Sequence, residues 1–145
     1  MTSYDLVFER FESKIESLDA VKLSDTDWHF MLKGWLNSAL GFIELDNLKI
    51  THDLSKRDDE IEMFEEDLDN NEIEVLALYM VVAWYEPQVN SIEHTQMFYG
   101  SKDEKWTSQK DHMNMLRATQ EKYRKLARKY FRNHSSRNNS YLNGE

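Results

Sequence analysis

Histidines are the side chains in this sequence that are best suited to binding a metal ion or moving a proton near neutral pH. The chain has 5 of them, spread along its whole length: His29, His52, His94, His112 and His134. None shows H-E-x-x-H or E-x-x-H spacing, and Glu93 would point away from the adjacent His94 on a helix. The spacing therefore predicts no metal site.

A second candidate for metal binding is the acidic stretch that follows residue 57. Asp67, Asp69 and Asn71 alternate as the first ligands of an EF-hand loop do. Glu72 then stands where the loop needs glycine, and Leu78 stands where it needs glutamate. The match fails at two required positions, so a solvated acidic surface is the better interpretation.

Signatures of catalysis and nucleotide binding are absent from the sequence. There is no cysteine, which excludes a disulfide framework, a cysteine-ligated zinc ion and a cysteine nucleophile. No G-x-S-x-G, P-loop or G-x-G-x-x-G pattern occurs. With 27 acidic residues, pairs of carboxylates are too common to be informative. We predict a protein that is not an enzyme and that has no cofactor.

Charge is distributed very unevenly along the chain. Residues 1–104 hold 8 Lys or Arg against 24 Asp or Glu, a net charge of −16, whereas residues 105–145 hold 10 against 3, a net charge of +7. Such asymmetry indicates a charged partner or self-association through opposite ends. The alternative is that one basic helix simply neutralises its own acidic domain.

Composition favours a single helical domain in this chain of 145 residues. Proline occurs once and glycine four times, which disfavours a β-sandwich or barrel with many tight turns. The N-terminal sequence is charged throughout, unlike a secretory signal. The longest apolar run, residues 75–85, is too short to cross a bilayer. We therefore expect a cytoplasmic protein with no membrane partner.

Hydrophobic periodicity predicts an all-α fold, a small helical bundle with a long acidic loop and an extended C-terminal arm. The bundle would occupy residues 1–133 and the flexible arm residues 134–145. Five helices are predicted. The first two are 3–18, capped by Thr2 or Ser3, and 25–45, capped by Ser24. The others are 73–84, capped by Asn71 and ended by Pro87, then 88–99, followed by Gly100, and a last helix from Ser108 to about Asn133. Residues 46–70 are predicted to be a long surface loop, with a short strand possible at 61–64.

The last predicted helix carries a basic face that could contact nucleic acid. Its cations are Arg117, Lys122, Arg124, Lys125, Arg128, Lys129 and Arg132. Tyr123, Tyr130 and Phe131 are interleaved with them, as in a helix that follows a phosphate backbone. These aromatic residues also fall on the apolar stripe, which favours a place in the core. A small regulatory protein that binds nucleic acid through this helix is thus the alternative function.

From Arg57 onward a longer and more specific pattern emerges. The segment RDDEIEMFEEDLDNNEIEVLALYMVVAWYEPQVNS combines Arg-Asp-Asp, a Phe with Asp-Leu, and a Glu-Ile-Glu-x-Leu-Ala-Leu-x-Met core helix that ends in Trp and Pro. The segment GSKDEKWTSQKDHMNMLRA adds Ser-Lys-Asp, an aromatic residue, a Ser cap and a long helix. With its Tyr141-Leu142 ending, the sequence resembles the small neck proteins, or head-to-tail adaptors, of tailed phages that infect Gram-positive bacteria. It departs from their usual ending by adding Asn143-Gly144-Glu145.

The resemblance implies a structural protein of the virion neck that assembles in the cytoplasm of the bacterial host. Adaptors of this kind are helical bundles that form a homo-oligomeric ring, for which we expect a dodecamer, beneath the portal protein. The ring extends the DNA channel and links the capsid to the stopper or tail-completion protein, and it touches the passing genomic DNA only transiently and without sequence specificity. No catalytic residue, cofactor or metal is implied.

Two sets of site residues follow from the resemblance. The C-terminal arm would bind the portal through Arg137, Ser140, Tyr141 and Leu142. An acidic loop that faces the channel would allow DNA to slide without sticking. Our hypothesis assigns this channel lining to Asp58, Asp59, Glu60, Glu62, Glu65 and Glu66.

Overall fold

The computed structural model describes the backbone of residues 1–15, 24–99 and 104–137, and the side chains within 1–15, 24–90 and 110–133. In these ranges helices dominate, which confirms the predicted small all-α bundle. The elements along the chain are β1 (Thr2–Ser3), α1 (Tyr4–Lys14), α2 (Asp25–Leu45), β2 (Arg57–Asp58), β3 (Met63–Phe64), α3 (Asn70–Tyr99) and α4 (Glu104–Arg137).

Helix α3 is the centre of the bundle, and α1, α2 and α4 all pack against it. From Val75 to Val82 every side chain is almost completely buried. A helix that is apolar on all sides has to lie inside the fold, because water contact on any side would expose apolar surface. The prediction of a central core helix in this segment is confirmed.

The predicted end of this helix at Pro87 is wrong, because α3 continues through the proline to Tyr99. Proline removes one backbone donor, but its ring is exposed here and packing holds the helix on both sides of it. On one side Tyr85 stacks on Tyr123 of α4, with ring centroids 6.2 Å apart. On the other side Val89 is buried with two α4 residues, Met113 and Leu116. Tertiary packing thus outweighs the local signal.

The cap of α3 is also two residues earlier than the sequence indicated. The Glu72 backbone N–H donates to the Asp69 carboxylate over 2.8 Å, and the Asp69 N–H donates back to the Glu72 carboxylate over 3.1 Å. This reciprocal pair is a capping box with Asp in place of Ser or Thr. The side chain of Asn71, the predicted cap, instead donates to the backbone oxygen of Tyr130.

The first two helices agree better with expectation. Ser3 caps α1 and Ser24 caps α2, and each hydroxyl accepts a backbone N–H over 3.2 Å. Helix α2 has the predicted bounds. Helix α1 ends at Lys14, short of Leu18, which lies outside the described residues.

Helix α4 is longer than predicted at both ends. It begins at Glu104, so Ser108 lies inside the helix and is not its cap. It ends at Arg137, four residues beyond the predicted end at Asn133, so the first part of the predicted arm continues the helix. The remaining arm residues Ser140, Tyr141 and Leu142, and also Gly100, lie outside the described residues.

The segment predicted as a surface loop is tied to the bundle by a small antiparallel sheet with strand order β1-β3-β2. Thr2 pairs with Phe64, which in turn pairs with Arg57. Phe64 is 1% exposed, and its ring lies 4.9 Å from that of Tyr4. The Thr2 hydroxyl donates to the Glu66 carbonyl and accepts the Leu68 N–H, each over 2.9 Å. The possible strand around residues 61–64 is present, as β3.

Candidate interaction surfaces

Among the described cations of α4, Arg124 serves the interior, whereas Lys122, Lys125, Lys129 and Arg132 are exposed. Arg124 is the interior one: its Nε and Nη2 donate to the two carboxylate oxygens of Asp46, over 3.0 and 2.5 Å. Its guanidinium also lies over the ring of Phe42, 5.2 Å from the centroid. Asp46 accepts a third hydrogen bond, of 2.6 Å, from the Tyr79 hydroxyl. Three helix regions therefore meet at one carboxylate, the end of α2, the middle of α3 and the second half of α4.

Electrostatics in this cluster follow from its geometry. The hydrogen bonds from Arg124 are the main reason that the pKa of Asp46 lies below its usual value. Burial, together with the hydrogen bond to Asp46, raises the pKa of Tyr79 above its usual value. The sequence predicts Arg124 as part of the basic face, but its guanidinium pairs with Asp46 and so helps to hold the bundle together.

Five other cations of α4 line a surface groove of about 590 Å³, which we call the basic groove. Its apolar residues are Leu48, from the loop after α2, and Leu126 and Phe131 from α4, all of them half-buried. Its cations are Lys122, Lys125, Arg128, Lys129 and Arg132. The sequence indicated the charges, but it gave no sign that Leu48 would complete an apolar floor, because Leu48 is far away along the chain.

Most cations of the basic groove have no acidic partner in the part of the chain that the structure describes. Arg128 contacts Glu121 over 3.1 Å, seven residues earlier on the same helix. Lys122, Lys125, Lys129 and Arg132 are exposed and have no ion pair with a described residue. Arg117 is exposed too, but it lies outside the groove. The groove therefore combines apolar surface with uncompensated positive charge.

The predicted acidic loop folds as a hairpin, which we call the acidic hairpin: β2, β3 and the turn at residues 59–62 between them. Asp59 accepts the Tyr4 hydroxyl over 2.6 Å. Burial, and then this hydrogen bond, raises the pKa of Tyr4 above its usual value. Glu62 contacts His29 Nε2 over 2.6 Å and Lys33 Nζ over 3.5 Å. These carboxylates fasten the hairpin to α1 and α2.

The other four predicted acidic residues differ in how far they are engaged. The Asp58 carboxylate accepts the N–H groups of Glu60 and Ile61, over 2.9 and 3.4 Å, and so shapes the turn. Glu66 accepts the Asp53 N–H over 2.9 Å. The side chains of Glu60 and Glu65 are exposed and make no polar contact with the described residues.

Histidines are used as partners of single carboxylates. His29 pairs with Glu62, and His52 Nδ1 lies 2.5 Å from a carboxylate oxygen of Glu72. The hydrogen bond with Glu72 raises the pKa of His52 above its usual value. Among the described residues, no three His, Asp or Glu side chains come together closely enough to hold a metal ion.

One face of α2 is exposed and partly apolar. Phe30 is 75% exposed and Leu45 is 70% exposed. Gly34 and Gly41 lie between them, and a Cβ at either position would meet nothing within 4 Å. The two glycines lie on the same side of the helix as Phe30 and Leu45, so this face is open to close approach.

Comparisons with known proteins gave no relative: no protein-family model, no curated protein and no solved structure matches this chain. In the part of the chain that the structure describes, none of the helices is long and apolar enough to pass through a bilayer.

Proposed function

We propose that this protein is a structural head-to-tail adaptor of a tailed-phage neck. It assembles in the host cytoplasm and functions in the virion as a ring beneath the portal, where it extends the DNA channel and connects the capsid to the stopper or tail. The observation that carries the proposal is the pairing of a basic groove with an acidic hairpin on one rigid bundle. A ring of identical copies needs two different, complementary surfaces on every copy.

The first segment that carries the resemblance builds the acidic half of this arrangement, whereas the residues of the basic groove lie outside the matching segments. Residues 57–91 form the acidic hairpin and most of the core helix α3. A ring subunit needs a rigid core, and residues 75–82 of α3 provide one because they are buried on all sides. This supports a scaffold role and gives no support to a catalytic one.

Among the proposed channel-lining residues, Glu65 is the best candidate, since its carboxylate is exposed and uncompensated among the described residues. Asp59, Glu62 and Glu66 already serve the fold. Portal binding by the C-terminal arm rests on the resemblance, with Tyr141 and Leu142 as the proposed anchors. Replacing Glu65 by Gln should slow DNA passage, and unchanged infectivity would argue against this lining.

The test of the function is the copy number of this chain in purified phage particles, measured by quantitative mass spectrometry. An adaptor is expected at a fixed small multiple per particle that matches the copy number of the portal subunit. Absence of the chain from particles would overturn the proposal.

A second candidate function, nucleic-acid binding, is favoured by the free cations of the basic groove. Such a protein would lose affinity steeply with salt, with a slope of about −0.9 per phosphate contacted on a log–log plot. Titration of duplex DNA at several salt concentrations distinguishes the two functions. An adaptor with a groove made for protein contact should bind duplex only weakly.

A further inference from the structure

The turn of the acidic hairpin presents one apolar side chain surrounded by carboxylates. Ile61 is 58% exposed at this turn. Asp58 and Glu60 flank it with exposed acidic side chains. This combination is the chemical complement of the basic groove, in which cations surround the apolar side chains of Leu126 and Phe131.

The turn is also held in a fixed shape, so little conformational freedom would be lost on docking. Asp58 accepts the backbone N–H groups of the next turn residues. Glu62 has a φ of 56°, which is uncommon for a residue other than glycine. Its carbonyl accepts the Tyr4 N–H over 2.9 Å, and its carboxylate is held by His29.

The turn of the hairpin is held away from the groove of its own chain. It contacts α2 at His29 and Lys33, whereas the groove lies beside the other end of α2, at Leu48. From Lys33 to Asp46 the helix rises roughly 20 Å, at 1.5 Å per residue. Because the turn and the groove are complementary but separated in this way, they can contact each other only between two different molecules.

We propose that the acidic hairpin of one copy docks in the basic groove of a second copy, with Ile61 against Leu126 and Phe131 and with Glu60 beside Lys129. The contact joins two different surfaces, so it is heterologous and leaves a free hairpin and a free groove at the ends of every open oligomer. Repetition closes a ring if the rotation between copies permits. This inference rests on the proposed ring-forming function and specifies its contact.

Charge reversal tests the contact in the purified full-length chain, with self-association followed by analytical ultracentrifugation. We expect Lys129→Glu and Glu60→Lys each to weaken association by about tenfold or more, because like charges then face each other. A mixture of the two variants should associate again, because the intact hairpin of Lys129→Glu fits the intact groove of Glu60→Lys and the two altered surfaces carry opposite charges. The variant with both changes should regain association. The matched controls are Lys110→Glu, an exposed position on α4 outside the groove, and Glu12→Lys, an exposed position on α1.

Cysteine cross-linking tests the same contact without relying on the strength of association, because the chain has no cysteine of its own. Under oxidation, the I61C/K129C variant should give a ladder of covalent oligomers, whereas I61C alone should give no product beyond a dimer. The same pair can be examined in assembled particles. If I61C/K129C and I61C give the same cross-linked products, both in solution and in particles, the proposal is overturned.

Other outcomes would assign the groove to a different occupant and would also overturn the proposal. Loss of duplex DNA binding in Lys129→Glu, with unchanged self-association, would make DNA the ligand. An intramolecular disulfide in K129C/L142C would make it the C-terminal segment of the same chain.

The contact and the adaptor function can fail separately. The chain at portal copy number in particles, with no 61–129 cross-link there, would remove this contact but leave the adaptor function. If the chain forms cross-linked oligomers but is absent from particles, the contact would stand and the adaptor function would be excluded.

Discussion

The acidic hairpin and the second half of α4 carry opposite charges, and the fold uses the two regions in opposite ways. Three carboxylates of the hairpin, those of Asp58, Asp59 and Glu62, bind backbone or side-chain donors nearby. In α4 Arg124 has a partly buried partner, while most cations of the basic groove remain uncompensated among the described residues. Density of charge in a sequence therefore does not reveal whether the charge supports the fold or is free to meet a partner.

The difference has a geometric cause. A tight hairpin exposes backbone N–H groups and lies against two helices, so short Asp and Glu side chains find donors at once. Long Lys and Arg side chains on a helix surface reach outward, away from their own backbone. The comparison predicts that substitutions of the engaged hairpin residues act mainly on stability, and that those of the exposed turn residues and of the groove act mainly on association.

The largest expected effect comes from the anchor of the acidic hairpin. Phe64→Ala should lower the free energy of unfolding by about 3–4 kcal/mol, because it leaves a cavity beside Tyr4 in the core. Ile61→Ala, three residues away but exposed, should change stability by less than about 0.5 kcal/mol. Urea denaturation followed by circular dichroism measures both. Similar values for the two variants would mean that the hairpin is the loosely attached loop that its sequence indicated.

A second, smaller effect distinguishes the interior cation of α4 from its neighbour. Arg124→Ala should cost about 2–3 kcal/mol of stability, somewhat less than the removal of one partner from a fully buried ion pair. Arg124→Lys should fall in between, because lysine keeps the charge but loses the two parallel hydrogen bonds. Lys125→Ala is the control and should lie within about 0.5 kcal/mol of the unaltered protein. Equal losses at positions 124 and 125 would refute the division of the basic face.

Much of the fold could be predicted because it depends on local patterns. The caps Ser3 and Ser24, the bounds of α2 and the buried run in α3 follow from side-chain chemistry within a few residues. The continuation of α3 through Pro87 depends on Tyr123 and Met113, which are distant along the chain. No local window contains that information.

The candidate site shows the same limit. The sequence identified the cations of α4, yet it could not show that Arg124 turns inward to Asp46, 78 positions earlier. It also could not show that Leu48 completes the groove. Contacts of this range are made by the tertiary fold, and the charge pattern alone treats Arg124 and Lys125 as equivalent.

A third prediction separates engaged from free acidic residues inside the hairpin. Glu62→Gln should cost about 0.5–1 kcal/mol, since it removes the charge that attracts His29 and Lys33 at a half-exposed site. Glu60→Gln should leave stability unchanged, because Glu60 has no partner among the described residues. The cost of Glu62→Gln should shrink in high salt, which screens such pairs. Denaturation at low and high salt measures it, and a salt-independent cost would point to lost packing rather than lost charge.

The smallest expected effect is a dependence of stability on pH that arises from His52. Its pKa is raised in the folded protein, chiefly by the hydrogen bond with Glu72, above the ordinary value of 6.5. The protonated imidazole therefore contributes stability that is fully present below pH 6.5 and is lost as the pH rises through the folded pKa. Because His52 is partly exposed, the contribution should stay below about 1 kcal/mol.

The variant His52→Gln isolates this contribution, because the other titrating groups are common to both proteins. The difference in unfolding free energy between the unaltered protein and the variant should be largest at acidic pH and should decline toward pH 8 and above. Denaturation at closely spaced pH values gives the difference directly. A difference that grows with pH would mean that the neutral imidazole is the form the fold prefers. The pair with Glu72 would then act as a hydrogen bond at the capping box and not as an ion pair. Charge would in that case contribute less to the stabilising contacts of the engaged acidic residues than the comparison with α4 implies.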